Sequence, residues 1–427
     1  MMKTRLGILS LLFMMLGCSS PSPNSSGTGD KAEAPSKIQV PEGFVAEVFA
    51  KDLGRGRHIA SRKNGDLYLR LSVPENGRSI VALRDTNEDG EADIQEYFEE
   101  IEGGTGIKVH NNYLYFSTDL KVYRRRFSGN ELVPSGELEL ILSLDPQNQH
   151  AAKPLAFDDE GNMFVTIGAP SNACQEPSRT AGAAGLDPCP LLETSGGIWK
   201  FSANKLNQTF EDGENYATGI RHAVGIYYNK KHQSLYAMQH GRDQLHEFWP
   251  DLYTQKQSAE LPAEEFLRVE EGSNFGWPYC YYDWQKYVRI LAPEYGGDGD
   301  SVGRCSSADL PLMGFPGHWA PNALEFYYGD QFPVSFAGGA FIAFHGSWNR
   351  APFPQQGYKV VFVPFSGKEL MTGYQTFATG FAGDNDEPES PGSAEHRPCG
   401  LAVGADGCLY ISDSMKGWVW RIRHTGS

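Results

Sequence analysis

The stretch GNMFVTI, residues 161–167, is a small polar turn followed by an apolar run of β-type residues. Five other stretches repeat the pattern: GDLYLR (65–70), NNYLYFS (111–117), QSLYAMQ (233–239), GGAFIAF (338–344) and DGCLYIS (406–412). A second short apolar run precedes each stretch, so the repeating unit is a strand, a tight turn and a strand. Such units, recurring at irregular intervals of several tens of residues, predict an all-β fold, a six-bladed β-propeller.

The repeat also predicts where a functional site lies. In a propeller the first strand of each blade is innermost, and the second strand returns to the face from which the first one starts. Residues just before the first strands and just after the second strands should therefore converge around one axial pocket. These positions hold seven of the eleven histidines and several arginines: Arg57, His58, Thr105, His150, Arg221, His222, His318, Asn322, His396 and Arg397 before first strands, and His240–Asp243 and His345–Arg350 after second strands. A pocket rich in His and Arg favours an anionic ligand. Strand capping and contacts between blades are the alternative roles for any single one of these residues.

Composition limits the classes of function. The chain of 427 residues is long enough for two or three domains, but the repeat favours one closed architecture over residues 38–427. The net charge is −16, and the only basic cluster is the short run Arg124–Arg126. We therefore expect no binding of nucleic acid or of anionic lipid through a positive field.

The N-terminus has the pattern of an export signal. Lys3 and Arg5 precede an apolar stretch, Leu6–Leu16, that is too short to span a bilayer comfortably. Met15–Cys18 resembles a bacterial lipoprotein box, which predicts a lipoprotein signal peptide at residues 1–18 and a flexible tether at 19–37. We expect an exported protein that is lipid-anchored to the bacterial membrane and faces the periplasm or the cell exterior. An ordinary cleaved signal with a spare thiol is the alternative.

Six cysteines remain after Cys18, an even number for an exported protein. Their neighbours in sequence suggest three disulfides, although the sequence leaves the connectivity open: Cys174 with Cys189, Cys280 with Cys305, and Cys399 with Cys408. The first two pairs fall in the long irregular segments Ala169–Ser195 and Asp251–Gly317, which we expect to overhang the mouth of the pocket. Helical signal is weak, and the best short candidate is Gln257–Arg268. No CxxCH motif is present, which excludes a fused c-type haem.

One acidic loop matches a calcium-binding pattern along its whole length. The pattern D-x-[DN]-x-[DN]-G-x5-E is filled by Asp85, Asn87, Asp89, Gly90, Asp93 and Glu96. Alternating oxygen ligands around a glycine turn suit a hard divalent cation. The flanking segments are strand-like, so we expect a structural calcium loop inside an early blade hairpin; a solvated acidic turn is the alternative.

Several longer motifs resemble the soluble sugar dehydrogenases that use pyrroloquinoline quinone (PQQ), within them the glucose/sorbosone dehydrogenase family, and nearer its sorbosone-dehydrogenase-like branch. The resemblance covers nearly all of the chain from about Pro41. It rests on His150 with KPLAFDDEGNMFVTIG (153–168), on ATGIRHAVG (217–225), MQHGRDQL (238–245), SNFGWPYC (273–280), FHGSWNRAPFPQQGYKV (344–360) and HRPCGLAVGADGCLYISD (396–413).

The resemblance implies roles for particular residues. His150 is implied as the general base that takes the hydroxyl proton while hydride passes to PQQ, and Arg221 as the group that stabilises negative charge on the cofactor. The backbone carbonyls of Gly241 and Arg242 are implied as ligands of a Ca²⁺ ion. Contacts to the cofactor are implied for His222, His345, Asn349, Arg350 and Arg397. The chain departs from the glucose enzymes at His222, where they have Asn, and at Arg242, where they have Pro, and these changes surround the substrate.

The sequence therefore predicts an exported enzyme that oxidises a sugar or a sugar aldehyde and passes electrons to an external acceptor. Two other classes remain open. A calcium-dependent propeller lactonase needs an axial carboxylate cage, whereas the predicted mouth residues are mostly His and Arg. A non-catalytic propeller that binds a glycan or a protein needs no such polar axis.

Overall fold

The structure is a computed structural model that describes residues 37–371 and 373–426. The predicted signal peptide, the predicted lipid anchor at Cys18 and nearly all of the predicted tether lie outside the described residues. No helix within the described ranges has the length and apolar character needed to cross a membrane.

The described residues form an all-β, six-bladed β-propeller, as the repeat predicts. The fold begins with β1 (Phe44–Ala50) and then builds its blades in chain order. The first blade is β2 (Gly56–Ser61), β3 (Leu67–Glu75), β4 (Arg78–Arg84) and β5 (Ile94–Phe98). The second is β6 (Ile107–His110), β7 (Tyr113–Ser117), β8 (Lys121–Arg126) and β9 (Glu139–Ser143). The third is β10 (Leu155–Phe157), β11 (Asn162–Ile167), β12 (Gly197–Ser202) and β13 (Glu214–Thr218).

The fourth blade is interrupted by an insertion. It starts with β14 (Ala223–Asn229) and β15 (Ser234–Gln239), which are followed by α1 (Leu245–Phe248), α2 (Gln255–Glu260) and β16 (Glu264–Val269). The inserted segment then contains β17 (Ser273–Asn274), which pairs with β13, and the hairpin β18 (Cys280–Asp283) and β19 (Val288–Leu291). The strand β20 (Met313–Phe315) completes the blade.

The last two blades close the ring. The fifth is β21 (Pro321–Phe326), β22 (Ala340–Phe344) and β23 (Lys359–Val363), then the small hairpin β24 (Phe365–Ser366) and β25 (Glu369–Leu370), and β26 (Gln375–Ala378). The sixth is β27 (Pro398–Val403), β28 (Leu409–Asp413) and β29 (Val419–His424). Its fourth strand is β1, which pairs antiparallel with β29 from Phe44 opposite His424 onward. Both ends of the propeller sequence therefore build one blade, and each inner strand contacts the next one around the axis.

Hydrophobic side chains fill the gaps between neighbouring blades. The second and third blades, for example, meet through Tyr115, Ile141, Leu155 and Val165, all buried. The sixth and first meet through Tyr410, Leu67 and other buried residues, and comparable clusters lie at the other four junctions. Because both faces of each sheet are covered in this way, the strands are apolar runs, and polar side chains concentrate at the two ends of the axis.

The structure contains two of the three predicted disulfides. Cys174 bonds Cys189, and Cys280 bonds Cys305. The third prediction is wrong, because Cys399 and Cys408 are free, buried thiols. Pairing of β27 with β28 sets Cys399 near the end of the hairpin where Pro398 faces Asp413, whereas Cys408 lies at its turn, beside Gly404. The two thiols are thus several residues apart along the strands, at about 3.3 Å per residue, and cannot reach each other.

The helix predicted at Gln257–Arg268 forms only in its first part. Thr254 accepts a hydrogen bond from the backbone N–H of Gln257 and begins α2, which ends at Glu260. Pro262 lies two residues after the helix, and the next segment pairs with β15 as β16. Proline cannot continue a helix, and the strand pairing overrides the local preference.

Candidate functional site

The histidine mouth is the end of the propeller axis at which the six inner strands begin. We define it by residues that precede inner strands or follow second strands, together with His58 in the bulge at the start of β2: His58, His150, Arg221, His222, His240, Gly241, Asp243, His345, Asn349 and Arg397. In four blades the register of the inner strand shifts within its first residues, between Gly56 and Ile59, Ala223 and Gly225, Pro321 and Ala323, and Pro398 and Gly400. Such bulges redirect side chains, so polar groups enter the axis where an unbroken strand would present apolar ones.

The backbone fixes the orientation of the His150 imidazole. His150 has a φ of +54°, and its Nδ1 lies 2.5 Å from the carbonyl oxygen of Ala169. A carbonyl only accepts, so Nδ1 carries the proton and Nε2 is left with a lone pair. A Cβ at Gly168 would lie 2.6 Å from the Cβ of His150 and 2.9 Å from Nδ1 of His222. Only glycine fits at this position, and its absence of a side chain allows the two imidazoles to approach.

Three imidazoles lie in contact at this mouth. The rings of His150 and His222 stack with 4.7 Å between centroids, and His222 meets His240 at 5.2 Å. Burial, together with the positive charge of Arg221, lowers the pKa of His150 to about 3. Burial likewise lowers the pKa of His240 to about 4 and the pKa of His222 well below its ordinary value. All three rings are therefore neutral at pH 7, which makes each of them available as a proton acceptor.

Arg221 and Asp243 form a buried ion pair beside these rings. Nη2 of Arg221 donates to the Asp243 carboxylate at 2.7 Å, and Nη1 donates to the carbonyl of Gly241 at 2.9 Å. A second guanidinium, that of Arg179, donates to the same carboxylate at 2.7 Å. Burial opposes ionisation of Asp243, but Arg221, with further help from Arg179, holds its pKa well below the ordinary value. One carboxylate therefore fixes two arginines and leaves an excess of positive charge.

The segment after β22 supplies the opposite wall. Asn349 donates from Nδ2 to Asp243 at 2.8 Å, and Nε2 of His345 lies 2.7 Å from the hydroxyl of Ser414. Arg397 donates from Nε to the carbonyl of His345 at 2.9 Å and from Nη2 to the carbonyl of Gly346. The structure thus brings six of the residues predicted for the site to one mouth: His150, Arg221, His222, His345, Asn349 and Arg397.

Arg350 does not direct its guanidinium to this mouth. It is buried, donates to the carbonyl of Ala259 at 2.7 Å, and forms an ion pair with Glu260 at 2.7 Å. The guanidinium of Arg350 therefore holds the end of α2 against the loop after β22. This structural role uses the donors that the sequence assigned to a cofactor contact.

Two other arrangements differ from the expected mouth. The side chain of Arg242 forms a buried ion pair with Glu294 in the inserted segment, and only its backbone stays at the mouth. The imidazole of His396 lies 3.1 Å from Asp413 and packs against Trp418, inside the sixth blade.

The acidic loop forms a tight turn between β4 and β5. Asp85 accepts hydrogen bonds from the backbone N–H groups of Glu88 and Gly90, and Asp93 accepts from Thr86. Glu96 lies outside this turn, in β5, opposite Ala82. Within residues 37–371 and 373–426, no three or more His, Cys, Asp or Glu side chains are grouped to hold a metal ion. Calcium at Asp85, Asn87, Asp89, Asp93 and Glu96 stays a prediction.

The sequence did not assign several residues that build the mouth. Asn172 and Arg179 come from the loop after β11, and Asn172 accepts from Arg221 at 3.1 Å. Glu264 accepts from the backbone N–H groups of Gly241 and Ala320, both at 3.1 Å, and burial raises its pKa to about 8. Glu264 opens β16, which starts at the mouth because β15 ends there. The sequence analysis considered only residues next to the first and second strands of each blade. Residues at the start of the third strands reach the same mouth, and including them identifies Glu264.

The donors at the mouth fit an anionic cofactor such as PQQ. Among the described residues, three buried side-chain atoms here have no hydrogen-bond partner: Nε of Arg221, Nδ1 of His222 and Oδ1 of Asn349. Unpaired buried polar atoms are costly, and a bound ligand is one way to satisfy them. Guanidinium groups are the side chains best suited to carboxylates.

The mouth offers fewer free ligands to a calcium ion than donors to an anionic cofactor. The Gly241 carbonyl, one of the two expected ligands, already accepts from Arg221 and keeps one lone pair for a cation. Calcium at Gly241 and Arg242 therefore stays a prediction.

The largest of the described cavities and the polar groups of the candidate site lie at opposite ends of the propeller axis. A crevice of only about 10 Å³ lies between Arg221, His240 and Trp277, whereas a cavity of about 720 Å³ opens at the opposite end of the axis. That second end, which we call the lysine mouth, is marked by Arg62, Lys63, Lys108, Lys230 and Glu325. We assign the candidate active site to the histidine mouth, because the oriented imidazole and the unpaired polar atoms lie there.

Comparison with known proteins agrees with the fold. A family model described as TrAA12-like matches residues 38–425. A protein of Borreliella burgdorferi, described as uncharacterized, is 24% identical over 414 residues, which cover 93% of this chain and 94% of that protein. The PQQ-dependent pyranose dehydrogenase of Coprinopsis cinerea is 30% identical over 188 residues, which cover 38% of this chain and 25% of that protein.

Solved structures share the propeller at low identity. The holo form of the PQQ domain of the Coprinopsis cinerea pyranose dehydrogenase has a TM-score of 0.71 at 19% identity and covers 90% of this chain and 97% of that one. A calcium structure of a Trichoderma reesei enzyme of carbohydrate-active family AA12 has a TM-score of 0.72 at 17% identity, over 91% and 97%. The resemblance to soluble PQQ-dependent sugar dehydrogenases is confirmed, and the sorbosone-dehydrogenase-like branch stays a prediction.

Proposed function

This chain belongs to the TrAA12-like family, and we propose that it is an oxidoreductase that uses PQQ to oxidise a sugar or a sugar aldehyde. The observation that carries the proposal is the oriented imidazole of His150. Its Nδ1 is fixed on the Ala169 carbonyl, so Nε2 is the proton acceptor, and the Arg221 guanidinium lies at the same mouth. The name of the Coprinopsis cinerea relative, a PQQ-dependent pyranose dehydrogenase, supports the same class of reaction.

Oxidation of a sugar hydroxyl removes a hydride from carbon and a proton from oxygen. PQQ, when bound, supplies the chemistry of hydride acceptance. The protein supplies the rest: Nε2 of His150 takes the hydroxyl proton, and Arg221 stabilises negative charge that develops beside it. We propose that two electrons then leave to an external acceptor.

The lowered pKa of His150 means that the imidazole is neutral, and can accept a proton, before the substrate binds. In the protein without cofactor, burial and Arg221 lower this pKa to about 3. A base with so low a pKa holds a proton only weakly. The carboxylates of PQQ would offset the charge of Arg221 and raise the pKa of His150, which makes proton transfer in the loaded protein more favourable.

The contacts to PQQ that we propose come from the arginines and polar atoms of the mouth. Arg221 and Arg397 would pair with its carboxylates, and His222, His345 and Asn349 lie where they can donate or accept at its edge. The Ca²⁺ ion of the proposal would take the remaining lone pair of the Gly241 carbonyl and the carbonyl of Arg242. Export and a lipid anchor at Cys18 rest on the N-terminal sequence alone and stay proposals.

Reconstitution tests the proposed reaction. Purified protein is incubated with PQQ and CaCl₂, and reduction of an artificial dye is measured with a panel of aldoses, pyranoses and sugar aldehydes. We expect dye reduction with at least one member of the panel, and none without PQQ. PQQ binding without turnover of any sugar in the panel contradicts the proposal and favours a binding propeller. Among the described residues of the histidine mouth, Asp243 is bound by two arginines and Asn349, and Glu264 accepts from two backbone N–H groups, so these carboxylates do not support the lactonase alternative.

A further inference from the structure

The lysine mouth is a cavity built by all six blades. It has a volume of about 720 Å³, within the range of roughly 300–1,000 Å³ that small-molecule sites occupy. Lys108 comes from the second blade, Tyr227 from the fourth and Glu325 from the fifth, all on inner strands. Ala156 and Ala402 provide small side chains on the third and sixth blades, which leaves the centre of the cavity open.

The charge of this cavity is opposite to that of the protein. The chain has a net charge of −16, yet the cavity is lined by Arg62, Lys63, Lys108 and Lys230 and by one carboxylate, Glu325. Two further carboxylates lie next to the lining: Asp159 pairs with Lys230, and Asp66 lies 3.8 Å from Arg62. A positive concave surface on an acidic protein attracts anions locally. This distribution indicates a negatively charged ligand.

Two of the cations are held in place before any ligand arrives. Nζ of Lys108 donates to Glu325 at 3.1 Å and lies 5.5 Å from the centre of the Tyr227 ring. The guanidinium of Arg62 lies 3.9 Å above the Phe127 ring. It donates from Nη1 to the carbonyl of Glu131 at 2.9 Å and from Nη2 to the carbonyl of Gly129. An ammonium has three N–H donors, so Lys108 keeps donors beyond the one that Glu325 takes. Groups oriented in advance lose little entropy on binding.

The walls between these charges are aromatic and amide side chains. The His110 imidazole stacks on Phe157 with 4.6 Å between centroids, and Tyr228 lines the same side. Asn111 and Asn112 form the exposed rim in the turn between β6 and β7. Aromatic faces pack against the carbon skeleton of a ligand, and amides bind hydroxyl groups.

Apolar side chains separate this cavity from the histidine mouth. Ile59, Ile107, Ile226, Leu324 and Leu401 surround a void of only about 10 Å³ between the two ends. A molecule bound at the lysine mouth therefore does not reach the proposed active site through the axis. A role for this cavity is independent of the proposed function.

We propose that the lysine mouth binds a small organic anion, with a carboxylate or a phosphate on a hydroxylated body about the size of a monosaccharide. The anionic group pairs with Lys108 and Arg62 inside the cavity, with Lys63 and Lys230 at the rim. Aromatic walls and rim amides contact the rest of the ligand.

Three probes that share a six-carbon hydroxylated skeleton test the charge and its source. Gluconate carries a carboxylate, glucose 6-phosphate carries a phosphate, and glucose is the neutral control. Binding to the full protein is measured by calorimetry and by the shift in melting temperature at low ionic strength. We expect at least one anion to bind at least tenfold more tightly than glucose, and the better of the two identifies the anionic group. Equal binding of glucose and both anions, or no binding of either anion at millimolar concentration, overturns the proposal.

A double variant tests the location. Lys108→Gln/Glu325→Gln removes both charges together, so that neither is left without its partner, and the fold is preserved better than in either single variant. We expect it to weaken anion binding at least tenfold. The matched control is Lys200→Gln/Glu214→Gln, an ion pair at 2.7 Å on the outer strands of the third blade, and we expect no effect.

A rim variant keeps the test decisive if the double variant does not fold. Lys63→Ser/Lys230→Ser changes two exposed side chains, and we expect a three- to tenfold loss of anion binding. Unchanged binding in a folded Lys108→Gln/Glu325→Gln protein, or in the rim variant when it is the only folded one, places the anion elsewhere and overturns the proposal.

Discussion

The two ends of the propeller axis are built by the same six inner strands but differ in what connects them. At the histidine mouth the connections are long, as in residues 168–196, 240–263 and 345–358, and they bring in Arg179, Asp243 and Asn349. At the lysine mouth the inner and second strands are joined by short turns, such as Asn111–Asn112. Long connections supply buried, mutually bonded polar groups, whereas short turns leave an open cavity with charges at its wall. This difference is the basis on which we propose chemistry at the first end and binding at the second.

The variant with the largest expected effect is His150→Ala. A lost general base typically lowers the rate by about 10²- to 10⁴-fold, whereas cofactor affinity depends mainly on the arginines. We expect dye-linked sugar oxidation to fall by that factor while PQQ binding stays within a few-fold of the parent. The matched change at the other end, Lys108→Gln/Glu325→Gln, should leave oxidation unchanged. Equal losses in both variants would remove the distinction between the two ends.

Asp243→Asn tests the ion pair that organises the histidine mouth. The change leaves the buried Arg221 and the half-buried Arg179 without their carboxylate, and breaking a buried pair costs about 3–5 kcal/mol. We expect the free energy of unfolding, measured with urea, to fall by about 3 kcal/mol. The control Asp300→Asn removes an exposed partner of Lys286 and should change it by about 0.5 kcal/mol or less. A similar small change in both variants means that Asp243 does not hold the arginines.

Acid should destabilise the protein through its buried histidines. Burial lowers the pKa of His58 and of His150 to about 3, and that of His240 to about 4. In the unfolded chain each titrates near pH 6.5, so below that pH the unfolded state binds more protons than the folded state. Stability present above about pH 6.5 is therefore lost as the pH falls, by roughly 2 kcal/mol per histidine at pH 5.

Urea unfolding at pH 7 and pH 5 measures this dependence. We expect the difference in unfolding free energy between the two pH values to shrink in His240→Gln. A difference that is the same in parent and variant assigns the acid sensitivity to other groups.

The smallest expected effect is that of calcium at the acidic loop. If Asp85, Asn87, Asp89 and Asp93 bind calcium, the ion stabilises the native state by mass action, and Asp89→Ala lowers the melting temperature in calcium by a few degrees. Activity per folded molecule should not change, because the loop joins outer strands β4 and β5. Identical melting curves for parent and variant, with and without calcium, mean that the loop is a solvated turn.

Sequence reasoning predicted what depends on period and on position. The strand repeat identified the fold, and the rule that strand entrances face one mouth located His150, Arg221 and Asn349. Sequence reasoning did not predict which residues form ion pairs or hydrogen bonds with each of these side chains. Arg350 pairs with Glu260 and Arg242 with Glu294, because the inserted segment folds over the mouth and brings carboxylates from distant positions. Cys399 and Cys408 illustrate the same limit, since strand register, which the sequence leaves open, keeps them apart.

The central claim is that PQQ binds at the histidine mouth. Calorimetric titration of the purified protein with PQQ in calcium, repeated with Arg221→Ala and with Lys108→Gln/Glu325→Gln, tests it most directly. The account predicts saturable binding to the parent protein, affinity at least tenfold weaker in Arg221→Ala, and unchanged affinity in the lysine-mouth variant. Absence of PQQ binding to the parent protein, or binding that is lost only in the lysine-mouth variant, would contradict it.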